Sequence, residues 1–253
     1  MAFKKYFTVS FDDGLEQDKR LIKLMKQYGI RGTFNLNGGL LGEQGSIKRV
    51  GNLGFQDCPP GMEDGRIFKY APHSRIPRDE IRQVYEGMEV ASHAYKHEAL
   101  GRLSLEEMKR AIDLDVKTLE EIVGYPIVGH AYPFGSASPK VETYLKEKQI
   151  IYGRGIAAGK SFSFPENPWN IKPNCSHISK NVFDLLEQFK QARPEQEDLL
   201  FYIWGHGYEC DYGTREASWE KTERIFASVA GRDDIEYVTN AEAFQLHNKT
   251  LQA

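Results

Sequence analysis

The residues best suited to chemistry are Asp12 and Asp13, the pair His93 and His97, and the late His206. The two carboxylates stand in Ser10-Phe11-Asp12-Asp13-Gly14, directly after Tyr6-Phe7-Thr8-Val9, an aromatic and β-branched run that reads as a buried strand. Adjacent carboxylates repel once they are drawn out of water, and a divalent cation or a shared proton relieves them. The plain alternative is an Asp-Gly turn. His93 and His97 follow a short strand over 88–92. If the segment is helical, their spacing of four puts both imidazoles on one side, within reach of one ion. Two neutral imidazoles and one carboxylate leave coordination positions open for water, as a hydrolytic metal site requires. His206 lies between Gly205 and Gly207 after a strand over 199–204, where glycine freedom lets the chain turn tightly and the ring project over the strand end.

The elements that must position these residues alternate. Leu21, Ile22, Met25 and Tyr28 line one face of a helix over 16–28 that Gly29 closes. Residues 32–37 resume as a strand, and strand–helix–strand alternation is the mark of a parallel sheet. Ser104-Leu105-Glu106-Glu107 is a capping box, and Leu105, Met108, Ile112, Val116, Leu119 and Val123 recur at helical spacing until Gly124. Strands are expected over 127–132 and 149–153, and helices from Ser138-Pro139, over 182–189 and over 219–229. A last strand over 236–239 precedes a helix capped by Asn240. Residues 162–176 read as irregular.

Between 38 and 87 the rhythm breaks into Gly, Pro and charge, with only 78–85 helical, and this stretch reads as an insertion over one face. About seven strands with no linker predict one α/β domain over 1–253. Its nearest regular form is an incomplete β/α barrel, with an open doubly wound sheet as the alternative. In a barrel the C-terminal strand ends make one rim. Asp12-Asp13, His93 to His97, Pro133-Phe134-Gly135 and His206 all fall on it.

The chain has 253 residues, 40% hydrophobic and 27% charged, with a formal net charge of -3. Without a basic tract, nucleic acid is not an expected partner. With no apolar window of ~18 residues, neither is a membrane. The start enters a strand with no secretory n-region or apolar core, so the cytoplasm is the expected location. Cys58, Cys175 and Cys210 are odd in number and form no C-x-x-C pair, which argues for reduced thiols.

Taken together, Ser-Phe-Asp-Asp-Gly, His93-x-x-x-His97 preceded by Ser92, Tyr132-Pro-Phe-Gly, and His206 after a strand resemble the polysaccharide deacetylases. These are the NodB-homology enzymes of carbohydrate esterase family four. The resemblance implies a distorted, incomplete (β/α)7 barrel that hydrolyses acetyl groups on sugars. Carried across, Asp13, His93 and His97 would bind a divalent ion, zinc first, with cobalt, nickel or manganese fitting the same donors. Asp12 would be the general base and His206 the general acid. The Phe134 N–H would help hold the oxyanion, and Tyr132 and Trp204 would stand on the substrate side. The partner would be an acetylated carbohydrate.

Two positions depart from the family pattern. The third motif often opens with an arginine that orients the catalytic aspartate, and here Ala131 stands there. Arg154, at the end of the next strand, is the candidate replacement. The fourth motif usually carries Asp-Trp, where this chain has Asn167-Pro168-Trp169, leaving Glu209 or Asp211 to support His206. Two alternatives stay open. One is hydrolysis of another C–N bond, since relatives of this fold open small cyclic amides. The other is a metal-retaining sugar binder with little catalysis, which these departures make plausible. His73, His130 and His247 read as structural, while His177 could reach the rim. Trp169, with Trp204, is expected beside a sugar.

Overall fold

A computed structural model describes residues 3–49, 55–57 and 69–251, so Cys58 and part of the expected insertion lie outside the described residues. In chain order the elements are β1 (Lys5–Asp12), α1 (Asp18–Gln27), β2 (Thr33–Leu36), β3 (Ser46–Arg49), β4 (Phe55–Asp57), β5 (Lys69–Pro72), α2 (Ile81–Val84), β6 (Glu89–Ser92), α3 (Leu105–Val123), β7 (Gly129–Ala131), α4 (Pro139–Glu147), β8 (Tyr152–Arg154), β9 (Cys175–Ser176), α5 (Val182–Gln191), β10 (Leu199–His206), α6 (Trp219–Val229), β11 (Glu236–Tyr237) and α7 (Asn240–Leu251). The main sheet is parallel, ordered β8-β7-β6-β2-β1-β10-β9, with β11 also on β1. It curls with helices around it, and β8 and β9 do not pair as strands. The result is the distorted, incomplete barrel.

β1 is an interior strand, paired with β2 and β10 and buried along its whole length. Phe7, Val9 and Phe11 pack outward with Leu21, Ile22 and Met25 of α1. Tyr6 points inward with Tyr152, Tyr202 and Phe244. The alternation follows from the two-residue period of a strand. Toward the rim the interior turns polar: Ser10 Oγ lies 2.9 Å from Tyr202 OH, and Thr8 Oγ1 donates to Asn240 Oδ1 at 2.8 Å. Register then lines up the strand ends, with Asp12 beside His206 on one side and Asn35 on the other, and Ala131 beside Arg154.

The capping box of α3 forms as expected: Glu107 N donates to Ser104 Oγ at 3.3 Å and Ser104 N to Glu107 Oε2 at 3.0 Å. Several expectations are corrected. β9 is a two-residue strand inside the stretch read as irregular, too short for any periodicity to reveal. Ser46–Arg49, Phe55–Asp57 and Lys69–Pro72 form a small antiparallel sheet, β4-β3-β5, where no strand was expected. Thr239, not Asn240, caps α7, since Thr239 Oγ1 accepts from Glu242 N at 3.3 Å. Asn240 instead joins the interior polar ladder, where its Nδ2 donates to Tyr202 OH at 2.6 Å. Among the described residues no helix is long and apolar enough to cross a membrane.

Candidate active site

A cleft of about 1030 Å³ opens at the rim, lined by Asp12, Asp13, His93, His97, Tyr132, Phe134, Trp204 and His206 but not by Arg154 or Trp169. Its floor is the end of β1. Asp12 is the last residue of the strand, and Asp13 leaves it with φ 81° and its N–H on Asn35 O at 2.9 Å. The two carboxylates therefore diverge. Asp12 Oδ1 accepts from Asn35 Nδ2 at 2.7 Å and from the Arg154 guanidinium. Its Oδ2 lies 3.9 Å from His93 Nε2 and 4.0 Å from His206 Nε2. Burial alone would raise the Asp12 carboxyl. The Arg154 charge, with His93 and His206, outweighs burial and holds it below its ordinary value.

Asp13 faces the histidines. Its Oδ1 is 3.6 Å from His97 Nε2 and 3.9 Å from His93 Nε2, and no hydrogen bond among the described residues reaches that buried oxygen. The segment from His93 to His97 is a turn, not a helix. Ala94 and His97 have φ 59° and 58°, and Asn37 Nδ2 clamps the turn by donating to the carbonyls of His93 at 2.5 Å and Ala94 at 2.9 Å. The rings converge through that turn, with centroids 4.9 Å apart.

The donor chemistry fits a cation. His93 Nδ1–H donates to Ala131 O at 2.8 Å, which leaves the Nε2 lone pair facing Asp13. Burial lowers the pKa of His93, and burial together with the neighbouring His93 lowers that of His97 to about 4. Both imidazoles are then neutral near pH 7, the form that binds a metal. The candidate ligand atoms of Asp13, His93 and His97 all lie within 4.8 Å of one another.

Across the cleft, the backbone N–H of His206 donates to Glu209 Oε2 at 2.9 Å, and its Nδ1 lies 3.4 Å from the same oxygen. Burial opposes protonation of this ring, but the Glu209 carboxylate, with Asp13 and Asp12 behind it, offsets that and pushes the pKa up to about 9. Behind it, His177 Nε2 reaches the same Glu209 oxygen at 2.9 Å. His177 is therefore buried behind the rim, not on it. Asp211 turns elsewhere, accepting from Gln17 Nε2 and Trp219 Nε1, each at 2.7 Å.

Gly205 and Gly207 are glycines for lack of space, and neither has positive φ. A Cβ on Gly205 would collide with the His177 ring, and one on Gly207 would lie 2.8 Å from Gln17 Cβ. Gly205→Ala is accordingly expected to lower stability by about 1–3 kcal/mol through overpacking. A denaturant midpoint equal to the parent's would refute that account.

Trp204 and the exposed rings and chains of Phe134 (67%) and Ile156 (45%) wall one side of the cleft. Phe134 has φ 56° and sets its ring edge-on to His97, centroids 4.6 Å apart. Tyr132 is buried and turns its hydroxyl to Trp169 O at 2.5 Å. Arg154 is fully buried and reaches Asp12 instead of the cleft, with its guanidinium 4.9 Å from the Trp204 ring centroid. Trp169 stands away from the cleft, its Nε1 donating to Ile150 O at 2.6 Å. His130 and His247 are structural, 3.2 Å from Ser92 Oγ and 3.0 Å from Asp198 Oδ2 respectively.

Three residues at the site escaped the sequence reading. Asn35 braces Asp12, and its place at a strand end on the same rim is a signal that could have found it. Asp115, buried under the His93 turn, accepts from Ser92 Oγ at 2.6 Å and His93 N at 3.0 Å. Burial pushes its pKa up to about 7. His73, read as structural, stands 3.1 Å from Asp13 Oδ2, and no local pattern marks it.

The family model described as polysaccharide deacetylase matches residues 2–152. No curated protein sequence matches the chain. Among solved structures, a Mycobacterium smegmatis protein assigned to the polysaccharide deacetylases is similar over 99% of this chain and 92% of its own, at 13% identity and TM-score 0.65. The peptidoglycan deacetylase PdaC of Bacillus subtilis, as a point mutant, is similar over 99% and 94%, at 16% identity and TM-score 0.56. A family 4 acetyl xylan esterase from Clostridium thermocellum, in complex with a cobalt ion, is similar over 96% and 91%, at 14% identity and TM-score 0.56. At these identities the likeness is one of fold.

Proposed function

The chain belongs to the polysaccharide deacetylase family, and from that premise we propose a metal-dependent hydrolase that removes the acetyl group from an N-acetylated sugar, oligosaccharide or glycoconjugate. The observation that carries this reading is the convergence of Asp13, His93 and His97 ligand atoms within 4.8 Å, with Asp12 and His206 beside them. Held by those three residues, a divalent ion supplies Lewis acidity toward the acetyl carbonyl and toward water. Zinc is the proposed ion, and cobalt, nickel or manganese suit the same donors. The cobalt in the structurally similar acetyl xylan esterase is in keeping with that choice.

The remaining chemistry falls to the chain. Asp12, kept ionised by Arg154, takes a proton from the attacking water through Oδ2. The water oxygen bonds to the acetyl carbon, the C–N bond breaks, and His206 gives the departing amine a proton from Nε2. The Nδ1–H of His206 on Glu209 fixes the ring so that Nε2 faces the cleft. The Phe134 N–H is the proposed donor to the carbonyl oxygen as charge develops there, and Trp204 and Tyr132 are the proposed acetyl wall. Arg154 at Asp12 and Glu209 at His206 stand where the family's motif arginine and aspartate are missing, which weighs against the non-catalytic binder. We take 1–253 as one such domain with an insertion at about 38–87, acting on an acetylated carbohydrate in the cytoplasm.

Elemental analysis followed by acetate release from chitooligosaccharides tests the proposal. One divalent ion per chain is expected, lost in His93→Ala and in Asp13→Ala. Full occupancy in both variants would sink the ligand assignment. Ammonia or a ring-opened product in place of acetate would move the activity to another C–N bond.

A further inference from the structure

His73 lies outside every motif considered above, yet its Nε2 stands 3.1 Å from Asp13 Oδ2, a hydrogen bond that joins residues 60 apart in sequence. An ionised carboxylate only accepts, so the ring N–H donates. The approach is enforced by backbone on both sides. His73 N donates to Gly45 O at 2.8 Å and Arg75 N to Glu43 O at 2.8 Å. From the other side, Glu16 N donates to Ser74 O at 2.9 Å, and Ile76 N donates to Gly14 O at 2.9 Å. Residues 73–76 are thereby laced to the loop that leaves β1 and to the segment before β3. The ring itself packs against Tyr208, centroids 5.2 Å apart.

This contact makes the two oxygens of Asp13 unequal. Oδ2 is engaged by His73. Oδ1 faces the Nε2 atoms of His97 and His93, at 3.6 and 3.9 Å, and lacks a hydrogen-bond partner among the described residues. The nearby Arg75 guanidinium comes only to 4.0 Å, beyond hydrogen-bond reach. A carboxylate without such an anchor rotates about its last torsion and presents either oxygen, and ordering it on binding has an entropic cost. An outer partner that fixes a ligating group removes that cost and sets the ligand's direction.

We propose that His73 is a positioning residue for the metal site: it anchors Asp13 Oδ2 so that Oδ1 is the oxygen offered to the ion. The segment after β5 thereby becomes part of the site's outer shell. The inference rests on the reading of Asp13, His93 and His97 as ligands.

The test is zinc affinity of the full chain, measured by competition with a chromophoric chelator, alongside the melting temperature of the metal-free protein. His73→Ala is expected to bind zinc about 10- to 100-fold more weakly, the usual loss for an outer partner of a metal ligand, with the metal-free melt near the parent's. His73→Gln, whose amide can still donate to Oδ2, is expected to recover most of the affinity. Should His73→Ala not fold, His73→Phe takes its place, keeping a ring beside Tyr208 but no donor. Parental affinity in the donor-less variant overturns the proposal, and so does a His73→Gln protein as weak as that variant. His93→Ala separates the two levels. If His93→Ala loses zinc while the His73 variants keep it, only the role of His73 fails. If His93→Ala binds zinc like the parent, the ligand set is wrong and the role of His73 falls with it.

Discussion

Asp12→Asn is expected to retain its metal and to lose about 10²- to 10⁴-fold in turnover, the usual contribution of a positioned general base. Asparagine preserves the oxygen that accepts from Asn35 and Arg154 but cannot take a proton from water. It is also the gentler substitution. Arg154 is fully buried, and alanine at position 12 would leave its charge without an acceptor, a loss of about 3–5 kcal/mol when a buried pair is broken. Because Arg154, His93 and His206 together hold the Asp12 carboxyl below its ordinary value despite burial, the parent base stays ionised through the neutral range. Activity should fall on the acid side only below the usual carboxylate range. Metal content, melting temperature and kcat measured on one preparation decide the matter. If Asp12→Asn loses the ion while Asp13→Asn keeps it, the two roles are reversed.

His206→Ala is expected to lose most activity on an unactivated N-acetyl sugar while keeping metal and fold, and to lose much less on an activated aryl acetate, whose leaving group needs no proton. Equal losses on both substrates would remove His206 as the acid. The pH profile adds a second reading. An acid must be protonated to act, so the rate declines as pH rises through its pKa. Glu209 foremost, with Asp13 and Asp12, pushes that value up to about 9 against the pull of burial. In Glu209→Gln the largest raising influence is gone while burial remains and only Asp13 and Asp12 still favour the proton, so the basic limb should move toward neutral pH. A cation on Asp13 lowers both proteins' values alike, which makes the difference between them the quantity to measure. An unmoved limb would show that Glu209 does not tune the acid.

Much of this site was legible because its parts terminate strands, and strand ends can be read from local composition. Asp12, Asp13 and His206 follow runs of β-branched or aromatic residues and His93 follows the short strand Met88-Glu89-Val90-Ala91-Ser92, and a barrel brings such ends to one rim. What failed depended on contacts distant in sequence. His73 to Asp13 spans 60 positions, and no periodicity encodes it. Arg154 at Asp12, 142 positions away, was legible only because the resemblance asks for an arginine at that aspartate. The spacing of four between His93 and His97 left the local shape open, because it is equally compatible with a helix and with a turn through two left-handed residues. The glycines around His206 were recognised for the wrong property, since only the packed structure reveals the His177 ring against Gly205. Short strands such as Tyr152–Arg154 and Cys175–Ser176 are held by their neighbours in the sheet more than by their own sequence.

The left-handed residues have an energetic meaning for the whole molecule. Among the described residues, Asp13, Ala94, His97, Phe134 and Gln149 are the non-glycine positions with positive φ, and all but Gln149 belong to the turns that bear the candidate ligands and the oxyanion donor. Each left-handed L-residue carries roughly 1–2 kcal/mol of steric strain. Four of them together approach the lower end of the net stability of an entire domain, about 5 kcal/mol. The barrel below must therefore over-determine its own rim, holding it in a shape the local backbone would abandon. The rim is accordingly expected to open before β1 and its buried neighbours. An ion that binds only the strained arrangement adds its binding free energy to that arrangement. Metal occupancy and backbone geometry are then two sides of one equilibrium.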